Sequence, residues 1–187
     1  MGGMISQELV LKAPQRVQSL TLMVTSQGKF CPEYTALGQI VKSTFSRDQE
    51  VITSNVIAFL YPEPFVNTPL SGGRTMRNVL REYHMSGNAT RGPPGAAGTF
   101  GQSVALIFHY VDDARLVPIK DHGYPILIIG CTKDQAIVFA HTQKFQKLLT
   151  GDHVKSKVYD DAGHALFIQH IDEVASDILG VVRHGRK

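Results

Sequence analysis

Two short apolar runs, each ending in a small-residue turn with an ionisable side chain, constrain this chain most strongly. The run Ile126–Ile129 ends in a turn that delivers Asp134, and the run Val154–Tyr159 ends in a turn that delivers His164. Open α/β sheets present catalytic groups just past the carboxyl ends of their strands. A carboxylate bonded to one imidazole nitrogen leaves the other nitrogen free as a general base. We therefore predict that Asp134 and His164 form an acid–base pair.

The remainder of the chain supplies further strand and helix patterns around these two runs. Val17–Thr25 is apolar and rich in β-forming residues, and it predicts a buried first strand. A helix before it is stopped by Pro14. Helical patterns also cover residues 102–116, 139–149 and 170–183. Strand, crossover helix and parallel strand in repetition predict an α/β fold with about three parallel strands and flanking helices.

The long interval between the first two strands has a different character. Residues 33–45, 49–60 and 75–84 show helical patterns, and the glycine-rich residues 91–101 predict a hinge or loop. No strand alternation is evident in this interval. We expect residues 1–26 and 102–187 to form the α/β core, with residues 27–101 as a mainly helical insertion.

Composition and charge narrow the class of protein. The 187 residues suit one domain, with 43% hydrophobic and 19% charged residues and a net charge of +3 spread along the chain. Neither nucleic acid nor an anionic membrane is expected as a partner. We see no signal peptide and no apolar stretch long enough to span a membrane, so we expect a cytoplasmic protein.

The cysteine and histidine inventory predicts neither a disulfide framework nor a metal site. Cys31 and Cys131 are the two cysteines of the chain, and this usage fits a reducing compartment. The spacings of the histidines and cysteines do not match known metal motifs, since His164 and His170 are six residues apart. We expect no metal and no cofactor.

Both ends of the chain resemble the C-terminal part of an α/β-hydrolase-fold serine hydrolase. The nucleophile elbow of that family reads Gly-x-Ser-x-Gly, often Gly-x-Ser-Met-Gly-Gly, and a helix, a proline and a strand follow it. This chain opens on Met1-Gly2-Gly3-Met4-Ile5 and then reaches Pro14 and the strand residues Leu20-Thr21-Leu22. The match begins at the residue that follows the family's nucleophile. The resemblance thus covers nearly the whole chain, but only the second half of a complete fold.

The resemblance assigns roles to the two residues that the strand ends deliver. It implies that Asp134 is the triad acid, that His164 is the base, and that residues 27–101 form a cap over the substrate. One departure precedes the acid-bearing turn, where the family often has His-Gly and this chain has Gly130-Cys131.

The larger departure concerns the nucleophile. No serine occupies the family's nucleophile position, and Met1, whose amide would form half of the oxyanion hole, carries a free amine. Ser6 lies inside the first helix and Cys31 begins the insertion, so neither suits a strand-to-helix elbow. Because removal of a triad member costs several orders of magnitude in rate, we expect this chain alone to be catalytically incompetent.

Three functional hypotheses follow. The first is a hydrolase lineage acting on carboxylic esters, lactones or similar small acyl compounds, with the serine outside this chain. The second is a non-catalytic remnant, from a truncated gene or an incorrectly chosen start codon. It would at most bind a ligand or pair with another chain through the exposed edge of its first strand. The third is a plain α/β binding domain in which the acid and histidine are incidental. A set of aromatic residues could line a substrate pocket, although packing inside the insertion is the favoured interpretation: Phe30, Phe45, Phe59, Tyr61 and Phe65.

Overall fold

A computed structural model describes residues 1–28, 38, 42, 46–91 and 96–185 of the chain. Its sheet has three parallel strands in the order β1 (Leu20–Met23), β2 (Ile126–Cys131) and β3 (Val154–Tyr159). Leu20 of β1 lies opposite Ile126, which in turn lies opposite Val154 of β3. The predicted α/β class with three parallel strands is therefore confirmed. The first strand is shorter than predicted, because residues 17–19 are irregular and the backbone leaves the extended conformation at Val24, where φ is 42°.

Helices surround the sheet and fill the interval between β1 and β2. In the described part of the chain they are α1 (Gly2–Lys12), α2 (Gln49–Leu60), α3 (Glu63–Val66), α4 (Met76–Arg91), α5 (Ala96–Phe108), α6 (Asp113–Leu116), α7 (Ala140–Leu148), α8 (Leu166–Gln169) and α9 (Ile171–Gly185). Short 3₁₀ turns lie at Pro14–Arg16, Ser71–Gly73 and Val117–His122. No helix within these described ranges is both long and apolar enough to cross a membrane.

Three of the predicted segments differ in the structure. The helix predicted at residues 75–84 is longer, because α4 continues from Met76 to Arg91. Helix α5 begins at Ala96, so the second half of the predicted loop at residues 91–101 is helical. The predicted helix at residues 102–116 is interrupted, because α5 ends at Phe108 and α6 starts anew after Asp112. The Asp112 side chain caps α6 by accepting a hydrogen bond from the Arg115 N–H at 2.9 Å. The predicted helix at residues 33–45 falls almost wholly outside the described residues.

Strand β2 lies in the middle of the sheet and is buried at every one of its positions. Its side chains alternate between two apolar clusters, one on each face of the sheet, as expected of a parallel strand that is covered on both sides. One face holds Val10, Leu20, Leu22, Ile126, Ile128 and Phe145 among others. The opposite face holds Leu127, Ile129, Cys131, Tyr159, Leu166, Val174 and Val181 among others. Each fully buried large side chain contributes roughly 1.5–3 kcal/mol, so these clusters fix the carboxyl ends of the strands.

A third apolar cluster joins the helical interval to the loop that follows β3. It contains residues of α2 to α4 and also Ala165, which lies directly after His164: Ile57, Tyr61, Val66, Leu80 and Ala165. The expected division into a core (1–26 and 102–187) and a helical cap (27–101) stays a prediction. Across that predicted boundary, however, side chains from both parts share one cluster.

Candidate active site

Asp134 lies in the turn that follows β2, and its carboxylate is almost fully enclosed. The residue is 3% exposed. Its Oδ1 accepts hydrogen bonds from the backbone N–H groups of Ala136 and Ile137, both at 2.8 Å. A buried carboxylate is tolerated when its oxygens are hydrogen-bonded in this way. The two bonds close the turn and fix the direction of Oδ2.

The free oxygen of that carboxylate meets the imidazole of His164. The distance from His164 Nδ1 to Asp134 Oδ2 is 2.9 Å. An ionised carboxylate can only accept, so Nδ1 donates, which places the base lone pair on Nε2. The two side chains differ in exposure, at 1% for Asp134 and 31% for His164. The carboxylate is therefore shielded, whereas the imidazole is accessible from the surrounding cavities.

The turn that carries the acid and the loop that carries the histidine are tied to each other by backbone contacts. Thr132 N–H donates to Tyr159 O at 3.1 Å, and Lys133 N–H donates to Ala162 O at 3.2 Å. The Thr132 hydroxyl donates to Asp160 O at 2.8 Å. These bonds extend the β2–β3 pairing beyond the strands. The backbone bonds between the two segments therefore help to set the distance between the Asp134 carboxylate and the His164 imidazole.

The histidine loop also contacts the end of α2. Ala165 N–H donates to Leu60 O at 3.2 Å. A Cβ atom on Gly163 would lie 2.5 Å from that same Leu60 oxygen, so only glycine permits the approach. Gly163 N–H in turn donates to Gln169 Oε1 at 2.9 Å. His164 is consequently held between α2 and α8.

Two cavities flank the imidazole, and their sizes match those of small-ligand sites. The first, which we call the Tyr61 cavity, measures about 450 Å³ and is bounded by Tyr61, His84, His164 and Phe167 among others. The second, which we call the apolar cavity, measures about 490 Å³. Its walls include side chains from α1, α2 and α5 and from the turns after β1 and β2: Met4, Val24, Phe59, Leu106, Ile107, Ala136 and Ile137.

The Tyr61 cavity has a polar wall. The Tyr61 hydroxyl lies 3.2 Å from His84 Nε2. Burial, with a smaller contribution from nearby Tyr83, raises the pKa of Tyr61 to about 12. Burial also lowers the pKa of His84. Both groups are therefore neutral at neutral pH, and they form a hydrogen-bonded pair without charge.

The structure also locates the nucleophile candidates that the sequence raised. Ser6 borders a third cavity of about 390 Å³ that also reaches His164. Its hydroxyl nevertheless donates back into α1, to the carbonyl groups of Gly2 at 3.0 Å and Gly3 at 3.1 Å. Cys131 is buried, and burial with the nearby acidic groups raises the pKa of its thiol to about 12. Cys31 lies outside the described residues.

Some cavity-lining residues were predicted from the sequence, and others, His84 among them, were not. Phe59 lines the apolar cavity and Tyr61 the other, whereas Phe65 stacks on Tyr61 at a ring separation of 5.9 Å. Phe30 and Phe45 lie outside the described residues. His84 was not predicted, since a single histidine in a predominantly polar helical segment belongs to no recognisable motif. In the described part of the chain, no group of three or more potential metal-ligating side chains comes together.

Comparisons with known proteins place this geometry in context. A family model described as alpha/beta hydrolase fold matches residues 1–171. No curated protein sequence matches the chain significantly. Among solved structures, BpoC of Mycobacterium tuberculosis H37Rv, assigned as a non-heme bromoperoxidase, superposes with a TM-score of 0.70 at 16% identity. That alignment covers 98% of this chain and 64% of BpoC.

Two further solved structures have hydrolase names. The 2-hydroxy-6-oxo-6-phenylhexa-2,4-dienoate hydrolase of Rhodococcus sp. strain RHA1 gives a TM-score of 0.68 at 17% identity, over 98% of this chain and 61% of that one. The carboxylesterase CesB of Bacillus subtilis gives 0.61 at 15% identity, over 97% of this chain and 56% of that one. At these identities the likeness establishes the fold, and the chain spans less than two thirds of each structure.

Proposed function

This chain belongs to the alpha/beta hydrolase family, and from that premise we propose that it serves the hydrolysis of small carboxylic esters or lactones, with Asp134 as acid and His164 as base. The observation that carries the proposal is the 2.9 Å bond between His164 Nδ1 and a buried carboxylate. The pair lies past the ends of neighbouring parallel strands, where α/β sheets bind ligands.

The proposed mechanism follows from the direction of that bond. His164 Nε2 takes the proton of a nucleophilic hydroxyl as the oxygen attacks the ester carbonyl carbon. Asp134 accepts from Nδ1 throughout and stabilises the imidazolium that forms. His164 then returns the proton to the leaving alkoxide as the carbon–oxygen bond breaks. In the second half, His164 takes a proton from a water molecule whose oxygen attacks the acyl carbon. The bond between that carbon and the nucleophile oxygen then breaks, His164 returns the proton to that oxygen, and the carboxylic acid leaves.

We further propose that none of the described residues of this chain acts as the nucleophile. In the described part of the chain, Asp134 is the one hydrogen-bond partner of His164. Ser6, which shares a cavity with the imidazole, directs its hydroxyl into its own helix. The described residues would then hold a substrate and a general base, without supplying a group that forms an acyl-enzyme.

The proposal is tested by separating general-base action from covalent catalysis. The chain should not be labelled by a fluorophosphonate probe. It should, however, accelerate the cleavage of 4-nitrophenyl acetate by an added small thiol, because His164 can deprotonate an external nucleophile. General-base action is worth on the order of 10²–10⁴ in favourable geometry, and we expect the low end for an untethered thiol.

The matched control uses the second imidazole–carboxylate pair of the chain, between His170 Nε2 and Asp161 at 3.0 Å. His164→Ala should abolish the acceleration, whereas His170→Ala should retain it. Equal rates in the wild type and in His164→Ala would remove the histidine from the mechanism. Fluorophosphonate labelling that Ser6→Ala abolishes would show instead that a nucleophile is present within this chain.

The non-catalytic alternative has its own supporting observation. None of the three cavities that reach His164 requires chemistry, since a ligand could occupy any of them without reacting. Under that hypothesis the chain is a ligand-binding or chain-pairing module. Thiol-dependent cleavage that requires His164 would argue against it.

A further inference from the structure

The polar wall of the Tyr61 cavity has no role in the mechanism above, although it faces the same imidazole. Tyr61 is 2% exposed, and its hydroxyl has one partner in the described residues, His84 Nε2 at 3.2 Å. The second ring nitrogen of His84, Nδ1, makes no hydrogen bond to a described residue. Both side chains line the cavity that contains His164.

The pair presents one free donor and one free acceptor in either arrangement of its protons. If Tyr61 donates to Nε2, the neutral His84 ring carries its proton on Nδ1, and the tyrosine oxygen keeps an acceptor site. If Nε2 donates instead, the tyrosine hydroxyl is a free donor and Nδ1 is an acceptor. The conclusion therefore does not depend on the tautomer. Because both groups are neutral, the pair suits an uncharged oxygen function.

The position of the pair relative to the base is fixed by the backbone. Tyr61 directly follows Leu60, whose carbonyl oxygen accepts from Ala165 N–H at 3.2 Å next to His164. Phe65 stacks on the Tyr61 ring at 5.9 Å, and the Tyr83 ring meets His84 edge-on at 5.2 Å. These contacts hold both polar groups in place before a ligand arrives, which lowers the entropic cost of recognition.

We propose that Tyr61 and His84 form a specificity site that recognises a second, uncharged oxygen function of the substrate, remote from the carbonyl that reacts. The favoured substrates are then neutral oxo- or hydroxy-acyl compounds, in preference to plain acyl esters of the same size. The inference rests on the proposed function, because it assigns substrate recognition to the cavity that borders the proposed base. Tyr61 and His84 are specificity residues here, and the chemical steps do not involve them.

Binding measurements test this without turnover. The probes are methyl hexanoate and the positional series of methyl oxohexanoates, which have similar shapes and differ by one ketone oxygen. We expect at least one oxo ester to bind about tenfold more tightly than methyl hexanoate, the value of one net hydrogen bond. On the wild-type chain, that oxo ester should also shift the ¹⁵N resonances of the His84 ring, while methyl hexanoate should not.

Variants then locate the preference. The double change Tyr61→Phe and His84→Phe should reduce the affinity ratio to about one, because it removes both polar groups and keeps aromatic volume. Phe167→Leu, in the same cavity, should weaken both esters equally and keep the ratio. A ratio that survives the double change, or the absence of a preference and of His84 shifts in the wild type, would overturn the proposal.

A separate variant keeps this inference distinct from the proposed function. His164→Ala should leave the oxo preference intact, since Tyr61 and His84 are unchanged. If the preference persists while thiol-dependent cleavage proves independent of His164, the specificity site stands and the proposed chemistry fails. If cleavage requires His164 but the preference is absent in the wild type, the chemistry stands and the specificity site fails.

Discussion

At the scale of single residues, Asp134 combines a structural with a proposed chemical task. One carboxylate oxygen closes the turn after β2 through the amides of Ala136 and Ile137, and the other orients His164. Loss of a buried acceptor leaves its donors unsatisfied, at a cost of about 1–3 kcal/mol. The residue that orients the proposed base is therefore also the residue that keeps the turn folded.

The sequence predicted the Asp134–His164 pair because both residues follow strand-like runs, and the carboxyl ends of parallel strands share one edge. His84 could not be found in the same way. It contacts Tyr61, which lies 23 residues earlier in the chain. That contact depends on how α2 and α4 pack against each other, and no local sequence pattern predicts this packing. The structure brings the two side chains of each pair together. The catalytic role of Asp134 and His164 and the recognition role of Tyr61 and His84 are proposals.

Cys131 provides a prediction about reactivity. The residue is 1% exposed, and burial, followed by the charges of Asp134 and Asp161, raises the pKa of its thiol from about 9 to about 12. Because the thiolate is the reactive form, iodoacetamide at about pH 8 should alkylate Cys131 only after unfolding. Peptide mapping measures this directly. Alkylation of the native chain at the rate of a free thiol would contradict it.

The same pKa difference predicts a dependence of stability on pH. Between about pH 9 and about pH 12, the unfolded thiol loses a proton that the folded state keeps. The unfolded state then binds fewer protons, so the contribution of Cys131 to the free energy of unfolding falls as pH rises through this window. Urea denaturation in this range should show a shallower fall for Cys131→Ala than for the wild type, and equal slopes would contradict the prediction.

At the scale of secondary-structure elements, local signals decided which boundaries could be predicted. Helix α2 begins and ends where predicted, because Asp48 caps it and Pro62 lies just past its end. Helix α5 begins earlier than predicted, since the small residues around Ala96 and Ala97 gave no apolar periodicity. Packing against other elements can impose a helix on such a segment. The division into a core and a helical cap, drawn from helical patterns and the family resemblance, stays a prediction.

The contact between α2 and the histidine loop predicts a strong effect at Gly163. In Gly163→Ala the new Cβ would lie 2.5 Å from Leu60 O, a backbone atom that cannot rotate away. We expect a loss of about 1–3 kcal/mol in the free energy of unfolding and a disturbed His164 ring environment. Chemical denaturation and the ¹⁵N spectrum of His164 measure the two effects.

Gly180 in α9 is the matched control, because a Cβ there meets no atom within 4 Å. Gly180→Ala should raise stability by up to about 1 kcal/mol, since alanine is the better helix former. If both alanine variants changed stability in the same direction and by similar amounts, the close approach at Gly163 would not be the cause.

At the scale of the whole molecule, the family resemblance drawn from the two ends of the sequence is confirmed by a match over residues 1–171. This prediction succeeded because it depends on short sequence segments, the turns that carry the acid and the histidine, and on their order along the chain. The cavities could not be predicted from the sequence, because side chains from elements far apart in the chain form the walls of each one. Because substrate identity depends on those cavities, no local sequence pattern predicts it.

The sheet itself leads to a prediction about self-association. In the described part of the chain β1 pairs only with β2 and ends the sheet. Leu20 N–H donates to Pro125 O and Val24 N–H to Ile129 O, both at 2.9 Å and both toward β2. Since N–H directions alternate along a strand, those of Thr21 and Met23 point to the open side. Exposed edges of this kind recruit strands from other chains.

We therefore expect concentration-dependent self-association of this chain, measured by sedimentation velocity. Thr21→Pro should weaken it, because proline removes an outward N–H without removing a bond to β2, and proline is tolerated on edge strands. Thr21→Val retains the N–H and should associate like the wild type, which separates the backbone effect from that of the side chain. A wild-type chain that sediments as a monomer at every concentration would show that the β1 edge is covered or too twisted to pair.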